Sequence, residues 1–427
     1  MYCLGILSMK RFIIYLKKLG KEGFFHIFFG GSLTKIIAFM SSILVIRLVP
    51  KDEYAFLAYA DNIYSYILLI CGLGCSSAVL KFCISDNQER NKAFFLYAIK
   101  FGTLSQLVIM IILFLIISNV EVAFPEAKKY IYSLLFYPFL YFWIGTIQSY
   151  MRSLFRNKEF AYSGIIQSGI ALLGSLGFVL IWGAYGVVGA RYLSFIVVII
   201  YGIRVVKKQI INTEKVYILE SHEKKQFVYL GLALLIANLF SMILPINESF
   251  LINNIIRDSQ VTAEYKVASL IPSQLPFFTS AIVTYYFPIF AKIEDRHEVW
   301  EKMKTVGVLT CAVIFGITLI GIFISPIIIK VFYGSQYDNI FWLMTLLWIM
   351  NAINAGFRML PMNILPAIGY AKFNVWVAFI SCIVHFIIDY YCILHFGIRG
   401  AVIAGGIIYF CSGIAYWLYL RKKTIKQ

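Results

Sequence analysis

The stretch RLVPKDEYAFLAYA, residues 47–60, is a short polar turn between two long apolar blocks. A similar stretch, VTAEYKVASL, covers residues 261–270, and its Glu264-Tyr265 pair lies 211 residues after Glu53-Tyr54. Pro50 ends one helix, and the carboxylates of Asp52 and Glu53 keep the turn in water. We interpret each stretch as the outer turn between the first two helices of a repeated unit.

The composition excludes an ordinary soluble protein. The chain has 427 residues, of which 61% are hydrophobic and only 14% charged, and its mean hydropathy is +0.81. A soluble chain of this length needs more polar residues to cover its surface. The eight cysteines form no C-x-x-C pair and the five histidines have no metal-binding spacing, so we expect no metal site and no disulfide framework.

We predict about twelve membrane-spanning helices, because blocks of 18 or more apolar residues are long enough to cross a bilayer. The first six are predicted at about residues 24–48, 57–80, 94–118, 130–151, 161–182 and 185–206. The second six are predicted at about residues 227–255, 266–290, 305–329, 339–364, 373–394 and 398–420. Pro245 lies inside the long seventh block and is expected to kink it.

The distribution of Lys and Arg predicts the orientation. With the N-terminus in the cytoplasm, the inner segments hold 26 of these residues and the outer segments hold 8. Basic loops remain on the cytoplasmic side, so both termini are predicted to be cytoplasmic. Basic loops facing anionic lipid also account for the net charge of +17 without any nucleic-acid partner.

The predicted organisation has five parts. Residues 1–23 form a basic interfacial segment rather than a signal peptide, with the start codon open between Met1 and Met9. The N-lobe is predicted at 24–206, a cytoplasmic linker at 207–226, the C-lobe at 227–420 and a basic cytoplasmic tail at 421–427.

A second pair of motifs supports an internal repeat. YGVVGA at residues 185–190 precedes the sixth span, FGIRGA at 396–401 precedes the twelfth, and their glycines are again 211 residues apart. We infer that a six-helix unit was duplicated. Since each unit has an even number of spans, its two lobes should be related by a pseudo-two-fold axis along the membrane normal.

Several degenerate motifs together resemble a known family. They are RLVPKDEY at 47–54, GLGCSSA at 72–78, AEYKVA at 263–268, IIIKVFYGSQYD at 327–338 and AIGYAKFN at 367–374. In this order and spacing the chain resembles the multidrug/oligosaccharidyl-lipid/polysaccharide exporter (MOP) superfamily, and more narrowly its O-antigen and capsule flippase branch. The resemblance implies an all-α, MATE-like membrane protein with two six-helix lobes around a central cavity.

The resemblance also implies a function. Members of this branch move undecaprenyl-diphosphate-linked oligosaccharides, such as O-antigen, capsule or exopolysaccharide repeat units, from the cytoplasmic to the outer leaflet of the bacterial inner membrane. It implies no cofactor, possible coupling to a Na⁺ or H⁺ gradient, and membrane lipids as surroundings. A polysaccharide polymerase and its chain-length machinery are possible partners.

Four cations fall within the predicted spans, where a charged side chain is costly unless it faces a cavity or a partner. Lys35 and Arg358 are the deepest, and we predict that they contact the diphosphate. Lys100 and Arg191 are further candidates, although Lys100 could snorkel to the cytoplasmic face and Arg191 could anchor at the outer interface.

Helical periodicity groups polar residues into three stripes, our candidates for the cavity wall. The first holds Ser32, Lys35 and Ser42; the second holds Asn238, Ser241, Pro245 and Glu248; the third holds Trp348, Asn351, Asn354 and Arg358. Trp348 and the two Asn suit a sugar, and Glu248 beside Pro245 is our candidate for ion coupling. Interhelical hydrogen bonding could also explain the stripes, and Glu248 could form a structural bridge.

Other functions remain open at this point. A cation-coupled drug exporter of the same superfamily is disfavoured by Lys35 and by the absence of a carboxylate from the first span. A membrane-embedded polysaccharide polymerase or glycosyltransferase would need exposed catalytic groups, but the loops are short and contain no D-x-D motif. A channel is disfavoured by the duplicated lobes. Asp61 and Asp389, near the predicted outer ends of their spans, are interpreted as structural.

Overall fold

A computed structural model describes residues 24–85, 87–211 and 217–425. The side chains of residues 24–28, 208–211, 237, 238, 241, 288, 291 and 292 are not described. The predicted interfacial segment 1–23 lies outside the described residues. Within the described part the regular secondary structure is helical, as the sequence predicts.

The α-helices are numbered in chain order over the described residues. The first eight are α1 (Phe24–Leu48), α2 (Lys51–Leu69), α3 (Cys75–Phe82), α4 (Gln88–Asn119), α5 (Lys128–Ser133), α6 (Tyr137–Ser153), α7 (Asn157–Trp182) and α8 (Ala184–Ile211). The second eight are α9 (Ser221–Ile256), α10 (Ser259–Ser269), α11 (Leu275–Lys292), α12 (Arg296–Ile328), α13 (Phe341–Ala352), α14 (Met359–Ala367), α15 (Ala371–Phe396) and α16 (Ile398–Ile425).

The helices are long enough for a multi-pass membrane protein. In the described residues nine helical stretches are long and apolar enough to cross a bilayer, or eleven if each of two bent helix pairs is one span. The predicted seventh span lies in α9, which continues through Pro245 and whose last part, Met242–Ile256, is a shorter apolar helix. The count of twelve therefore remains a prediction.

The described chain forms two compact units. The first contains residues up to Pro50, Tyr66–Glu121 and Lys128–Ile236, and the second contains Lys51–Ser65, Val122–Ala127 and the residues from Ala237 on. Most of α2 thus packs with helices from the second half of the chain. The predicted lobe bounds and the symmetry between the lobes remain predictions.

In the first unit, small residues allow close helix packing. An ideal Cβ on Gly30 of α1 would lie 2.6 Å from Cβ of Ala161 on α7, so α1 and α7 approach closely at this glycine. Aromatic residues fill the core between α3, α4, α6 and the start of α9, where Phe94 stacks on Phe227 at 5.6 Å between ring centroids. Packing of this kind, rather than hydrophobicity alone, holds helices together in lipid.

The second predicted span is interrupted by a left-handed turn between α2 and α3. Gly72, Leu73 and Gly74 have φ angles of 58°, 49° and 77°. An ideal Cβ on Gly72 would lie 2.2 Å from the ring of Phe142, so both the conformation and the space require glycine there. The sequence reading treated this span as continuous, although the GLG run was visible in it.

A buried side chain satisfies the backbone at this turn. The amide of Gly72 donates a hydrogen bond to Oε1 of Gln106 at 3.1 Å. Gln106 is on α4 and is fully removed from solvent. Backbone groups freed by a break in a membrane helix need such a partner.

The second unit contains two π-helical segments, Ile329–Tyr333 and Ile353–Arg358. Its core packs Phe290, Met303, Leu360 and Tyr416 against one another. π-helical turns change the direction of the side chains that follow them, so a stripe drawn at 100° per residue does not continue through them.

Several predicted boundaries differ from the structure. The polar turn between the first two helices is only two residues long, because α1 ends at Leu48 and α2 already begins at Lys51. Asp52 and Glu53 lie in the first turn of α2, where carboxylates favour the helix dipole. The predicted tail is mostly helical, since α16 extends to Ile425.

The repeat does not have the single offset that the motifs suggest. Gly183 and Gly397 are the C-caps of α7 and α15, and their backbone conformations are nearly the same, with φ angles of 54° and 59°. Their spacing is 214, whereas the N-caps Asn87 and Asp295 of α4 and α12 are 208 apart. The 211-residue match of the glycine motifs is therefore three residues out of structural register. The stretch from the start of α12 to the end of α15 is six residues longer than the stretch from the start of α4 to the end of α7. Both π-helical segments lie in that longer stretch.

Candidate functional site

Glu248 lies on α9, three residues after Pro245, in the second unit. Only 2% of its surface is exposed, and its Oε1 has no hydrogen-bond partner among the described residues. Tyr265, on α10, lines the same cavity as Glu248, and its hydroxyl is close enough to interact with the Glu248 carboxylate. This carboxylate is thus deeply buried and only partly satisfied, which is costly for an ionised group.

A second buried acid, Asp389 on α15, was placed near the outer end and interpreted as structural from the sequence. It is completely buried, and one turn earlier His385 is also buried. Nε2 of His385 lies 3.7 Å from Oδ2 of Asp389. Neither Asp389 carboxylate oxygen has a hydrogen-bond partner in the described part of the chain. The i,i+4 spacing of His385 and Asp389 is the sequence signal that the prediction overlooked.

Arg358 is the last residue of the second π-helical segment, and only 5% of its surface is exposed. Its Nη1 donates to Oδ1 of Asn354 at 3.0 Å, and its guanidinium lies 5.2 Å from the ring centroid of Tyr409 on α16. Its Nε and Nη2 have no hydrogen-bond partner among the described residues. A buried guanidinium with free donors is suited to bind an anion.

We call these residues the buried cluster: Glu248, Tyr265, Arg358, His385, Asp389 and Tyr409. Glu248 and Asp389 are close enough to interact electrostatically, and so are Arg358 and His385. If both carboxylates are ionised, Arg358 balances only one of them, and a proton on His385 or on a carboxylate, or a bound cation, can balance the other. The arrangement can therefore take up one proton or one monovalent cation. No group of three or more potential metal ligands is found in the searched, described residues.

A polar cavity of about 270 Å³ lies beside the cluster within the second unit. Glu248, Tyr265 and Tyr409 line it, together with Asn62 of α2 and the predicted residue Asn351. The amide of Asn351 donates to the carbonyl of Leu347 at 2.9 Å. The cavity is lined by amides, hydroxyls, the Glu248 carboxylate and the half-buried Lys266, so it can hold water or a small polar group.

The predicted third stripe is divided in the structure. Trp348 is buried and donates through Nε1 to Oγ of Ser325 at 3.2 Å, with its ring against Gly321 of α12. The structure thus places Trp348 in helix packing, Asn351 at the cavity and Asn354 beside Arg358. Trp348 and Asn351 both lie in α13, whereas Asn354 and Arg358 lie in the π-helical segment that follows it, where the 100° periodicity no longer holds. A sugar-binding role for these residues remains a prediction.

The other predicted cations lie in the first unit. Lys35 on α1 and Lys100 on α4 are exposed on the protein surface, and Arg191 on α8 is half-buried with its guanidinium 5.2 Å from the ring centroid of Tyr137. None of the three belongs to the buried cluster. In the predicted second stripe, the side chains of Asn238 and Ser241 lie outside the described residues.

The two polar stretches of the sequence meet at what we call the outer contact: Lys51, Asp52, Ser259, Gln260 and Glu264. Nζ of Lys51 lies 2.8 Å from Oε1 of Glu264. Oδ1 of Asp52 accepts hydrogen bonds from Ser259 and Gln260, both at 2.7 Å. All five residues belong to the second unit, so the first turn of α2 is bound directly to α10.

Comparison with solved structures defines the class of protein. A multidrug resistance MATE family transporter of the MOP superfamily, in an inward-facing conformation, superposes with a TM-score of 0.74 at 14% identity, covering 92% of this chain and 95% of that chain. The lipid II flippase MurJ, in an inward closed conformation, superposes with a TM-score of 0.73 at 18% identity, covering 94% and 87%. A MOP superfamily transporter from Pyrococcus furiosus gives 0.66 at 15% identity, covering 94% of each chain.

The chain is therefore a multi-pass membrane protein with the fold of MOP superfamily transporters, as the sequence motifs suggested. The family model of polysaccharide biosynthesis proteins matches residues 21–294, more than half of the chain, and the chain belongs to that family. A comparison with curated protein sequences gave no match.

Proposed function

We propose that this protein is a flippase that moves an undecaprenyl-diphosphate-linked oligosaccharide from the cytoplasmic to the outer leaflet by alternating access. The observation that carries the proposal is the combination of polysaccharide biosynthesis family membership with a MOP transporter fold. The similarity in fold to a lipid II flippase supports a lipid-linked substrate. The repeat unit would belong to O-antigen, capsule or exopolysaccharide.

The diphosphate would be held by cations. Arg358 has free guanidinium donors and Lys35 has a compact ammonium, and both types of group bind phosphate oxygens. Asn351 and the polar cavity supply amides and hydroxyls for sugar hydroxyls. Lys100 and Arg191 are secondary candidates, whose exposed or interfacial positions also suit contacts with lipid headgroups.

Transport would be coupled to a proton or Na⁺ gradient through the buried cluster. Glu248 was predicted for this role from the sequence, and Asp389 with His385 joins it here. One proton or cation bound between Glu248 and Asp389 would relieve their mutual repulsion. Release of that ion would leave a buried negative charge, which favours a change of conformation that readmits water or a cation.

The protein would reside in the bacterial inner membrane with both termini in the cytoplasm. The asymmetry of 26 to 8 basic residues supports this orientation. Reporter fusions after residues 120 and 215 should report outside and inside, respectively, and the reverse pattern would refute the orientation. A polymerase and chain-length machinery acting on the flipped product are the expected partners.

The function is tested by complementation and by reconstitution. Expression in strains that lack an O-antigen or capsule flippase should restore surface polysaccharide. The purified protein in vesicles should then move a fluorescent lipid-linked oligosaccharide between leaflets. Export of cationic drugs without movement of the lipid-linked substrate would favour the drug-exporter alternative, and chain elongation in the vesicles would favour a polymerase.

A further inference from the structure

We propose that Glu264 and Tyr265, consecutive residues of α10, link the protonation of Glu248 to the outer contact, so that the outer contact opens when Glu248 is neutral. The inference rests on the proposed function and deepens it, because it assigns positioning roles in ion coupling to two residues. It also gives the Glu-Tyr pair noted in the sequence a physical role.

One side of the link is the outer contact. The side chains of Lys51 and Glu264 are only 15% and 29% exposed, so their 2.8 Å ion pair is better shielded than an ordinary surface pair. The ammonium of Lys51 also lies 5.3 Å from the ring centroid of Tyr337. Together with the two hydrogen bonds to Asp52, these contacts fix the start of α2 to α10.

The other side of the link is the buried cluster. Tyr265 follows Glu264 directly, is 8% exposed and lines the same cavity as Glu248, with its hydroxyl close enough to interact with the Glu248 carboxylate. Neighbouring side chains on a helix point about 100° apart. One turn of α10 therefore presents Glu264 to Lys51 and Tyr265 to Glu248. A rotation or shift of α10 must change both contacts together.

The direction of the coupling follows from the hydrogen bond that the Tyr265 hydroxyl would donate to an ionised Glu248. Tyr265 on α10, Tyr409 on α16 and Asp389 on α15 interact electrostatically with Glu248. Lys266 on α10 lines the same cavity as Glu248. Arg358, the arginine of the buried cluster, lies over the ring of Tyr409 and interacts with it electrostatically. A hydrogen bond to a carboxylate is about twice as strong as one to a neutral acid. An ionised Glu248 therefore holds α10 in the position where Glu264 meets Lys51, and protonation releases it.

The test uses the full-length protein in vesicles with a cysteine reporter at Ser65, which lines the cavity. Ser65→Cys is labelled by a membrane-impermeant maleimide added outside, with no substrate present. Because the chain has eight cysteines of its own, the protein without the added cysteine gives the background. Labelling after denaturation gives the total reporter, so each rate refers to folded protein in the membrane.

We expect Glu264→Gln to raise the labelling rate roughly three- to tenfold at neutral pH, the size of effect expected for one shielded ion pair. Lys51→Glu should do the same, and Lys51→Glu combined with Glu264→Lys should return the rate toward the parent value. Glu248→Gln and Tyr265→Phe should raise the rate by a similar factor. They should also remove the increase that the parent shows at acidic pH once each rate is divided by that of the denatured protein at the same pH, because maleimide reacts with the thiolate. Glu301→Gln, which breaks an ion pair of 2.8 Å with Lys304 on α12, should change nothing.

Two outcomes overturn the inference. If Glu264→Gln raises labelling but Glu248→Gln and Tyr265→Phe do not, the outer contact is not linked to the cluster. If Glu264→Gln itself has no effect, the outer contact does not control access. Failure of the proposed function gives a different result. If the variants change labelling as expected but the protein does not move lipid-linked oligosaccharide, the proposed substrate is wrong and this inference still holds.

Discussion

Nε2 of His385 lies 3.7 Å from Oδ2 of Asp389, and both side chains are buried one turn apart on α15. The carboxylate of Asp389 also interacts electrostatically with Glu248 on α9. A histidine and two acids therefore share a site with one arginine, Arg358. Two like charges held close together in a buried site repel each other. Binding of a proton or a cation relieves this repulsion, so such a site is suited to ion coupling.

Asp389→Asn should therefore uncouple transport from its ion gradient. The amide keeps the volume of the carboxylate but cannot be ionised, so the site can no longer alternate between charge states. We expect transport driven by an imposed H⁺ or Na⁺ gradient in vesicles to fall at least about tenfold, which corresponds to about 1.4 kcal/mol. Asp61→Asn, at a carboxylate outside the cluster, is the control. Asp389→Asn with normal rate and normal gradient dependence would show that Asp389 is structural.

Arg358→Ala should prevent restoration of surface polysaccharide in a flippase-null strain. A lost charge-assisted hydrogen bond costs about 1.5–3 kcal/mol, roughly ten- to a hundredfold in binding. Arg358→Lys keeps the charge without the planar fork and should retain part of the activity. Asn354→Ala removes the Arg358 partner at 3.0 Å but leaves the cation, and should be milder. Equal loss in the Arg358 and Asn354 alanine variants, with less protein in the membrane, would indicate a structural role.

Lys35→Ala tests the diphosphate contact in the first unit. We expect loss of surface polysaccharide with normal protein levels in the membrane, and partial activity for Lys35→Arg because the charge remains. Lys81→Ala is the control, since this exposed lysine lies in the last turn of α3 and outside every candidate site. Full activity of Lys35→Ala would move the search for the contact to Lys100 and Arg191.

Gly72→Ala should destabilise the protein. The new Cβ would lie 2.2 Å from the ring of Phe142, and a φ of 58° is strained for alanine. A residue forced into this region costs about 1–3 kcal/mol, which should appear as a lower Tm in detergent. Gly177→Ala on α7 is the control, because no atom lies within 4 Å of an ideal Cβ there. An unchanged Tm for Gly72→Ala would mean that the turn between α2 and α3 relaxes freely.

Glu223, at the start of α9, should make the protein sensitive to acid. Burial alone would raise the pKa of Glu223, but hydrogen bonds from the Glu220 amide, Arg90 and Tyr217 hold that pKa below its ordinary value. A lowered pKa stabilises the folded protein at neutral pH, and this stabilisation is lost as the pH falls through the folded-state pKa.

Glu223→Gln should therefore lower the Tm at neutral pH and reduce the drop in Tm on acidification. Glu294→Gln is the control, because Glu294 is exposed to solvent. Thermal unfolding in detergent over a series of pH values measures both effects. Parallel curves for Glu223→Gln and the parent would contradict the assignment.

The sequence by itself determined the membrane class and most helix positions. Apolar blocks must be helical in lipid, where every backbone group needs a partner, so the first predicted span, 24–48, coincides with α1. The order of the motifs also identified the MOP superfamily, which the fold comparisons bear out. The apolar blocks and the order of the motifs are both properties of the linear chain, so they can be recognised without knowing which residues pack together.

Only the tertiary structure decided which polar residues meet. A helical stripe grouped Trp348 with Arg358, but the π-helical segment between them separates their environments. Asp389 was interpreted as an outer structural residue, yet packing of α15 against its neighbours buries it beside His385. Likewise, the Glu-Tyr pair at 264–265 was visible as a repeat, but its partners Lys51 and Glu248 come from distant parts of the chain. Periodicity fixes which face of a helix a residue occupies, whereas burial and charge pairing depend on what packs against that face.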